Sequence, residues 1–216
     1  MRPRFLLALI LVFYTSFAAE RADTRLNFPG LGQVLIHPVR ENGAVPYVDF
    51  FASTGERLLR VEPETGNFWK VDDVQDATGS HIYYGALHLS DLPDPLVLVV
   101  LQYGFASDCG YTPALVGVRN GRLEVLTPKL ERFLTRGGAY WKKASSGHPA
   151  QLTIIAERYR SGEVHVNGPS KVAVYRYSFD AGTGKFVLIQ QEIIPVDKLK
   201  VEGESLLATI PGLTDC

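Results

Sequence analysis

Apolar and polar residues alternate with a period near two along most of this chain, and the apolar runs are short. Strands are expected at Gln33–His37, Tyr47–Phe51, Leu58–Val61, Phe68–Val71, Ile82–Leu89, Leu96–Tyr103, Ala114–Arg119, Arg122–Leu126, Ala139–Lys142, Leu152–Tyr159, Val172–Phe179 and Phe186–Gln191. These runs are rich in Val, Ile, Tyr, Phe and Leu and are punctuated by Gly, Asn, Asp and Pro. The segment Leu96 to Leu101 is continuously apolar, the pattern of a strand covered on both faces. Asn120-Gly121 lies between two alternating runs and suits a type I′ hairpin, whose two central residues need positive φ. Asp180 to Gly184 reads as a longer hairpin turn.

One stretch departs from this period. Thr127-Pro128 resembles a helix start, Leu130, Phe133 and Leu134 would share one face, and Gly137-Gly138 would stop the run. A short helix is therefore expected near 128–135. The tail is ambiguous: Lys198–Glu202 and Ser205–Ile210 could add a closing hairpin. Faint repetition divides the rest into units at 33–71, 81–126 and 139–191, each with about four strands. The expected fold is all-β, with antiparallel meander sheets forming a propeller-like or sandwich domain.

The amino terminus carries a different signal. Arg2 and Arg4 precede an apolar stretch from Phe5 to Phe17, and Ser16-Phe17-Ala18 supplies small residues at −3 and −1. This is the pattern of a secretory signal peptide over 1–18, leaving 19–216 as a single all-β domain in the periplasm or outside the cell. Cleavage leaves 20 Lys and Arg against 23 Asp and Glu, a net charge of about −3. With no basic stripe, phosphate neutralisation is poorly served and nucleic-acid binding is not expected. No further run approaches membrane-spanning length, so no stable membrane insertion is expected after cleavage.

Chemistry-bearing motifs are sparse. Nucleophile elbows, paired-histidine metal helices, phosphate loops and dinucleotide glycine fingerprints are all missing, so no cofactor and no metal is expected. His81 and His88 would share a strand, but an odd separation places them on opposite faces. A secreted hydrolase with a carboxylate pair is the alternative reading, with Asp49, Glu124, Glu157 and Glu163 as candidates, because spacing in sequence does not fix the gap between strands. The more suggestive feature is a set of aromatic doublets: Phe50-Phe51, Phe68-Trp69, Tyr83-Tyr84 and Tyr140-Trp141. Neighbours on a strand point to opposite faces, so each doublet can place one ring in the core and offer the other outside. Trp69, Tyr84, Tyr140 and Trp141 are the expected ligand contacts, and the expected role is non-catalytic binding of a protein or carbohydrate.

The stretch His88-Leu89-Ser90-Asp91-Leu92-Pro93-Asp94-Pro95 running into Leu96-Val97-Leu98-Val99 resembles an FG-GAP or VCBS-type propeller blade. The hairpin from Tyr175 to Val187 is similar to the outer strands of such blades. The resemblance implies a propeller and a calcium-binding acidic loop. The D-x-D-x-D-G ligand spacing is absent, however, and Asp91 and Asp94 alone supply too few oxygens.

The chain has two cysteines, Cys109 and Cys216, and in an oxidising compartment a pair is more often bridged than free. A bridge would close a loop of more than a hundred residues and contribute roughly 2–4 kcal/mol. The mature protein, unfolded without reductant, should show no thiol in an Ellman assay; two titratable thiols would end this expectation.

Overall fold

The computed structural model describes residues 23–39, 46–62, 81–90, 92–103, 110–134, 137–146, 148–159, 168–210 and 212–213. The leader expected at 1–18, the expected strand at 68–71 with Trp69, and Asp91, Cys109, Glu163 and Cys216 lie outside them.

The described residues fold as three antiparallel sheets that follow one another along the chain. In the first, β1 (Thr24–Phe28), β2 (Gly32–Val39), β3 (Tyr47–Ala52) and β4 (Arg57–Val61) run as a simple meander. In the second, β5 (His81–Leu87), β6 (Leu96–Tyr103), β7 (Gly110–Arg119) and β8 (Arg122–Val125) do the same, and the short β9 (Phe133–Leu134) adds to β7. The third contains β10 (Gly138–Lys142), β11 (Gln151–Arg158), β12 (Lys171–Asp180), β13 (Lys185–Pro195) and β14 (Glu204–Ser205), in the spatial order β13-β12-β11-β10-β14. Sequence-adjacent strands pair because their turns are short and well specified. Asn120 and Gly121 both take positive φ, 50° and 72°, between the paired Arg119 and Arg122. At the longer β12–β13 turn the Asp180 carboxylate accepts hydrogen bonds from the Gly182 N–H and the Thr183 hydroxyl, both at 2.9 Å. Those donors, led by Thr183, hold the Asp180 carboxyl below its ordinary pKa.

The sheets stack face to face with the second in the middle. Leu96, Leu98 and Val100 of β6 enter a core shared with Leu152, Ile154 and Ala173 of the third sheet. Val97, Val99 and Leu101 of the same strand enter a core shared with Val34, Ile36, Val48 and Phe50 of the first. Continuous apolarity at 96–101 thus reports two buried faces. The described residues thus form a three-layer, sandwich-like all-β fold, and no closed barrel occurs among them.

The segment expected to be helical near 128–135 has no helical turn over 128–134, a correction to the sequence reading. Thr127 is buried, and its hydroxyl accepts the Leu115 N–H at 3.3 Å instead of capping a helix. Leu130 and Phe133 enter the core between the second and third sheets, where Phe133 stacks on Tyr111 at 5.8 Å. Phe133 and Leu134 pair with Tyr111 and Gly110, and the Leu134 N–H is bonded by Glu157 at 2.7 Å. Tertiary partners for backbone and apolar side chains override a weak local helix preference. The tail likewise forms no hairpin of its own: single 3₁₀ turns at Val196–Lys198 and Leu207–Thr209 flank β14.

Tyr177 sits in the core between the second and third sheets, and burial pushes its hydroxyl pKa up to about 12. Below pH 10 native and unfolded chains both keep this proton. Between pH 10 and the raised native value only the unfolded chain releases it, so stability falls with rising pH by about 1.4 kcal/mol per unit at most. Chemical denaturation between pH 9 and 12 should show a steeper loss for the wild type than for Tyr177→Phe. Equal slopes would contradict the burial argument.

Candidate functional site

The third sheet has one face in the core and one turned away from the other sheets, and register decides which residues each face receives. Tyr140 pairs with Thr153, Thr153 with Arg176 and Arg176 with Gln190, so one row crosses four strands. The adjacent row runs Gly138, Ile155, Val174 and Glu192. Trp141, Leu152, Ile154, Ala173 and Tyr175 alternate with these and point into the core.

Among the described residues no fourth sheet covers the outer face. After β13 the chain turns at Val196–Lys198, where the Val196 N–H bonds the Ser170 carbonyl at 3.2 Å, and crosses to the opposite edge. Leu199 packs with Ile155, Val172 and Val174 on the way. Beyond Gly203 the strand β14 pairs with β10, the Leu206 N–H bonds the Ala139 carbonyl at 2.8 Å, and Leu206 and Ile210 sink into the core. This strap is pinned at both ends. Between it and the sheet lies a cleft of about 330 Å³ whose sheet side carries Tyr140, Gln151, Thr153, Ile155, Val174 and Arg176.

Tyr140 owes its position to a neighbour. A side chain two residues earlier on the same strand face would collide with it: a Cβ at Gly138 would lie 2.6 Å from the Tyr140 ring. Glycine lets the ring fold back flat along β10. The Gly137-Gly138 pair is thus a clearance device, and not the helix stop read from sequence. Burial raises the Tyr140 pKa, and the Glu157 charge adds to the shift. At the cleft rim the Arg176 guanidinium bonds Glu192, and the Lys142 ammonium bonds Glu202. That bond from Lys142 and the charge behind it hold the Glu202 carboxyl below its ordinary pKa. A carboxylate held ionised by a cation is a poor general acid.

The described doublets divide as strand geometry requires, though not always with the expected member outside. At Tyr140-Trp141 it is Tyr140 that lines the cleft, whereas Trp141 is 1% exposed and packs edge-on against Phe186 at 6.3 Å. Tyr84 is buried between the first and second sheets, its hydroxyl 3.0 Å from that of Thr24. Trp141 and Tyr84 are core residues and leave no ring surface for a ligand, which corrects the sequence expectation for both. Trp69 lies outside the described residues. The candidate carboxylates are dispersed: Asp49 is buried under a two-bond contact with Arg60 at 2.8 Å, and Glu124 pairs with Arg119 at 3.0 Å. Glu157 is buried in the third sheet against the Leu134 N–H. At the acidic turn, Asp94 bonds His88 at 2.6 Å, and among the described residues no three metal-ligating side chains converge.

Sequence reasoning missed the strap residues Lys198, Lys200, Val201 and Glu202, and it missed Arg176 and Glu192. Their juxtaposition depends on a chain crossing for which only the apolar Leu199 and the small Gly203 leave a trace. No protein-family model, characterised protein or solved structure matches the chain.

Trp141→Ala should cost roughly 3–5 kcal/mol of stability, as large core truncations do. Tyr140→Ala should leave the melting temperature within a few degrees. Because the Trp141 indole N–H has no hydrogen-bond partner among the described residues, Trp141→Phe should be far milder than Trp141→Ala. A tolerated Trp141→Ala would contradict its place in the core.

Proposed function

We propose that this protein is an exported, non-catalytic binding module whose ligand seats in the cleft between the third sheet and its carboxy-terminal strap. The single observation that carries the reading is the cleft itself. Tyr140 presents a half-buried aromatic face beside the polar Gln151 and Thr153 and the apolar Ile155 and Val174. Ligand-pocket volumes begin at roughly 300 Å³, and this cleft is of that size, with a chiefly polar lining around the one aromatic face. The carboxylates that line the cleft, Glu192 and Glu202, are both engaged by cations, which favours binding over hydrolysis. The secretory leader read at 1–18 supports export.

Amide spectra of the labelled protein, recorded against a panel of mono- and disaccharides and short peptides, test the reading. Ligand-induced shifts should cluster on Tyr140, Thr153, Arg176 and the strap. Tyr140→Ala should weaken a bound panel member by about 2 kcal/mol, the scale of an aromatic anchor, with folding intact. Shifts confined to the first sheet would reject the cleft as the binding site.

A further inference from the structure

Resting on the cleft reading, we infer that the ligand is an acidic sugar: a hydroxyl-bearing ring with a carboxylate, of the uronic-acid class. The charge census of the cleft gives the first argument. Four cations line it, Lys142, Arg176, Lys198 and Lys200, against two acids, Glu192 and Glu202. Arg176 and Lys142 are spent on those acids. Lys198 and Lys200 pair with no acid among the described residues, so the strap contributes two uncompensated positive charges to a protein that is net negative as a whole.

Geometry gives the second argument. Leu199 is drawn down onto Ile155, Val172 and Val174, and Lys198 and Lys200 beside it in sequence both line the cleft from the strap. A carboxylate on the strap side of the cleft would answer their charge while the body of the ligand lay against the sheet. There the half-buried Tyr140 ring offers an aromatic face, Gln151 and Thr153 offer donors and acceptors, and Ile155 and Val174 are buried beneath Leu199 as the apolar support. A sugar ring has one apolar face and a hydroxyl edge, so it uses both. A simple aliphatic acid would leave the polar side chains unused, and a neutral sugar would leave the two lysines unanswered. At about 330 Å³ the cleft admits a small ligand or one end of a longer chain, and not a folded peptide segment.

The test titrates the mature protein by calorimetry and amide shifts with uronic-acid disaccharides (glucuronate, galacturonate and mannuronate), their methyl esters and a tetraglutamate peptide. At least one acid should bind with shifts at Tyr140, Thr153 and residues 198–202, and its methyl ester should bind tenfold or more weakly. The double change Lys198→Glu with Lys200→Glu lies on exposed side chains, so it should keep the melting temperature while abolishing binding of the acid. Binding should also weaken as salt screens the exposed lysines. Esters binding as well as acids, unaffected by the charge reversal, would overturn the ligand class and leave the cleft reading standing. Tetraglutamate binding at the strap with no response to any uronate would overturn the sugar. Failure of every compound, including the neutral saccharides, to shift cleft amides would overturn this inference and the cleft reading together.

Discussion

Burial of β6 on both faces is the constraint from which the architecture follows. Each side chain from Leu96 to Val100 is fully removed from solvent, with even positions packing towards the third sheet and odd positions towards the first. At roughly 1.5–3 kcal/mol for each large apolar side chain buried, this one strand ties two cores together. It also fixes the order of layers, because a strand apolar on both sides needs cover on both, which here the first and third sheets supply. The first and third sheets can then each cover one face of the second, and each keeps an outer face to be dealt with separately.

The third sheet solves that problem with its own tail, and the cleft is a by-product of how it does so. Ile155, Val172 and Val174 make an apolar group on the outer face, and Leu199 and Ile194 cover it. A single extended segment is narrower than a sheet, so the covering is partial. The strap is held where Leu199 finds apolar partners and where Leu206 re-enters the core. It stands away from the row formed by Tyr140, Thr153 and Arg176, where the side chains beneath it are polar or aromatic. Partial coverage of a half-apolar face leaves a pocket with mixed lining.

Most of the strand skeleton was legible because its signals are local. Alternation located the β12 and β13 hairpin, Asn120-Gly121 fixed a register, and the unbroken run at 96–101 announced the middle layer. β1 was missed because Thr24-Arg25-Leu26-Asn27-Phe28 is short and its buried end, Phe28, lies beside a turn. The supposed helix at 128–135 shows the converse: its apolar spacing is real, and Leu130 and Phe133 are buried, but as irregular cover tied to β7 and β11. Within the site the doublet rule places Tyr140 and Trp141 on opposite faces, yet the sequence reading takes both as ligand contacts, because alternation cannot say which of two neighbours faces inward. That choice is made by the Phe186 contact on one side and the space above Gly138 on the other, both set by pairings distant in sequence.

The same long-range fitting makes the strap a fixed wall of the site. Gly203 adopts φ of 103°, and a Cβ there would stand 2.4 Å from the Trp141 carbonyl oxygen. Only glycine lets the chain press against β10 at that point and turn into β14. Downstream of this contact Leu206 and Ile210 are buried, so lifting the strap would expose core side chains and break the Leu206 hydrogen bond to Ala139. A lid that opens to admit ligand comes from the weakly held end of a structure's stability range. This segment, anchored by close backbone contact, by β-pairing and by apolar burial, does not belong to that end. The Tyr140 ring, Arg176 and the strap backbone are therefore held in place, and the ordering cost that remains for binding falls on the exposed side chains of Lys198 and Lys200.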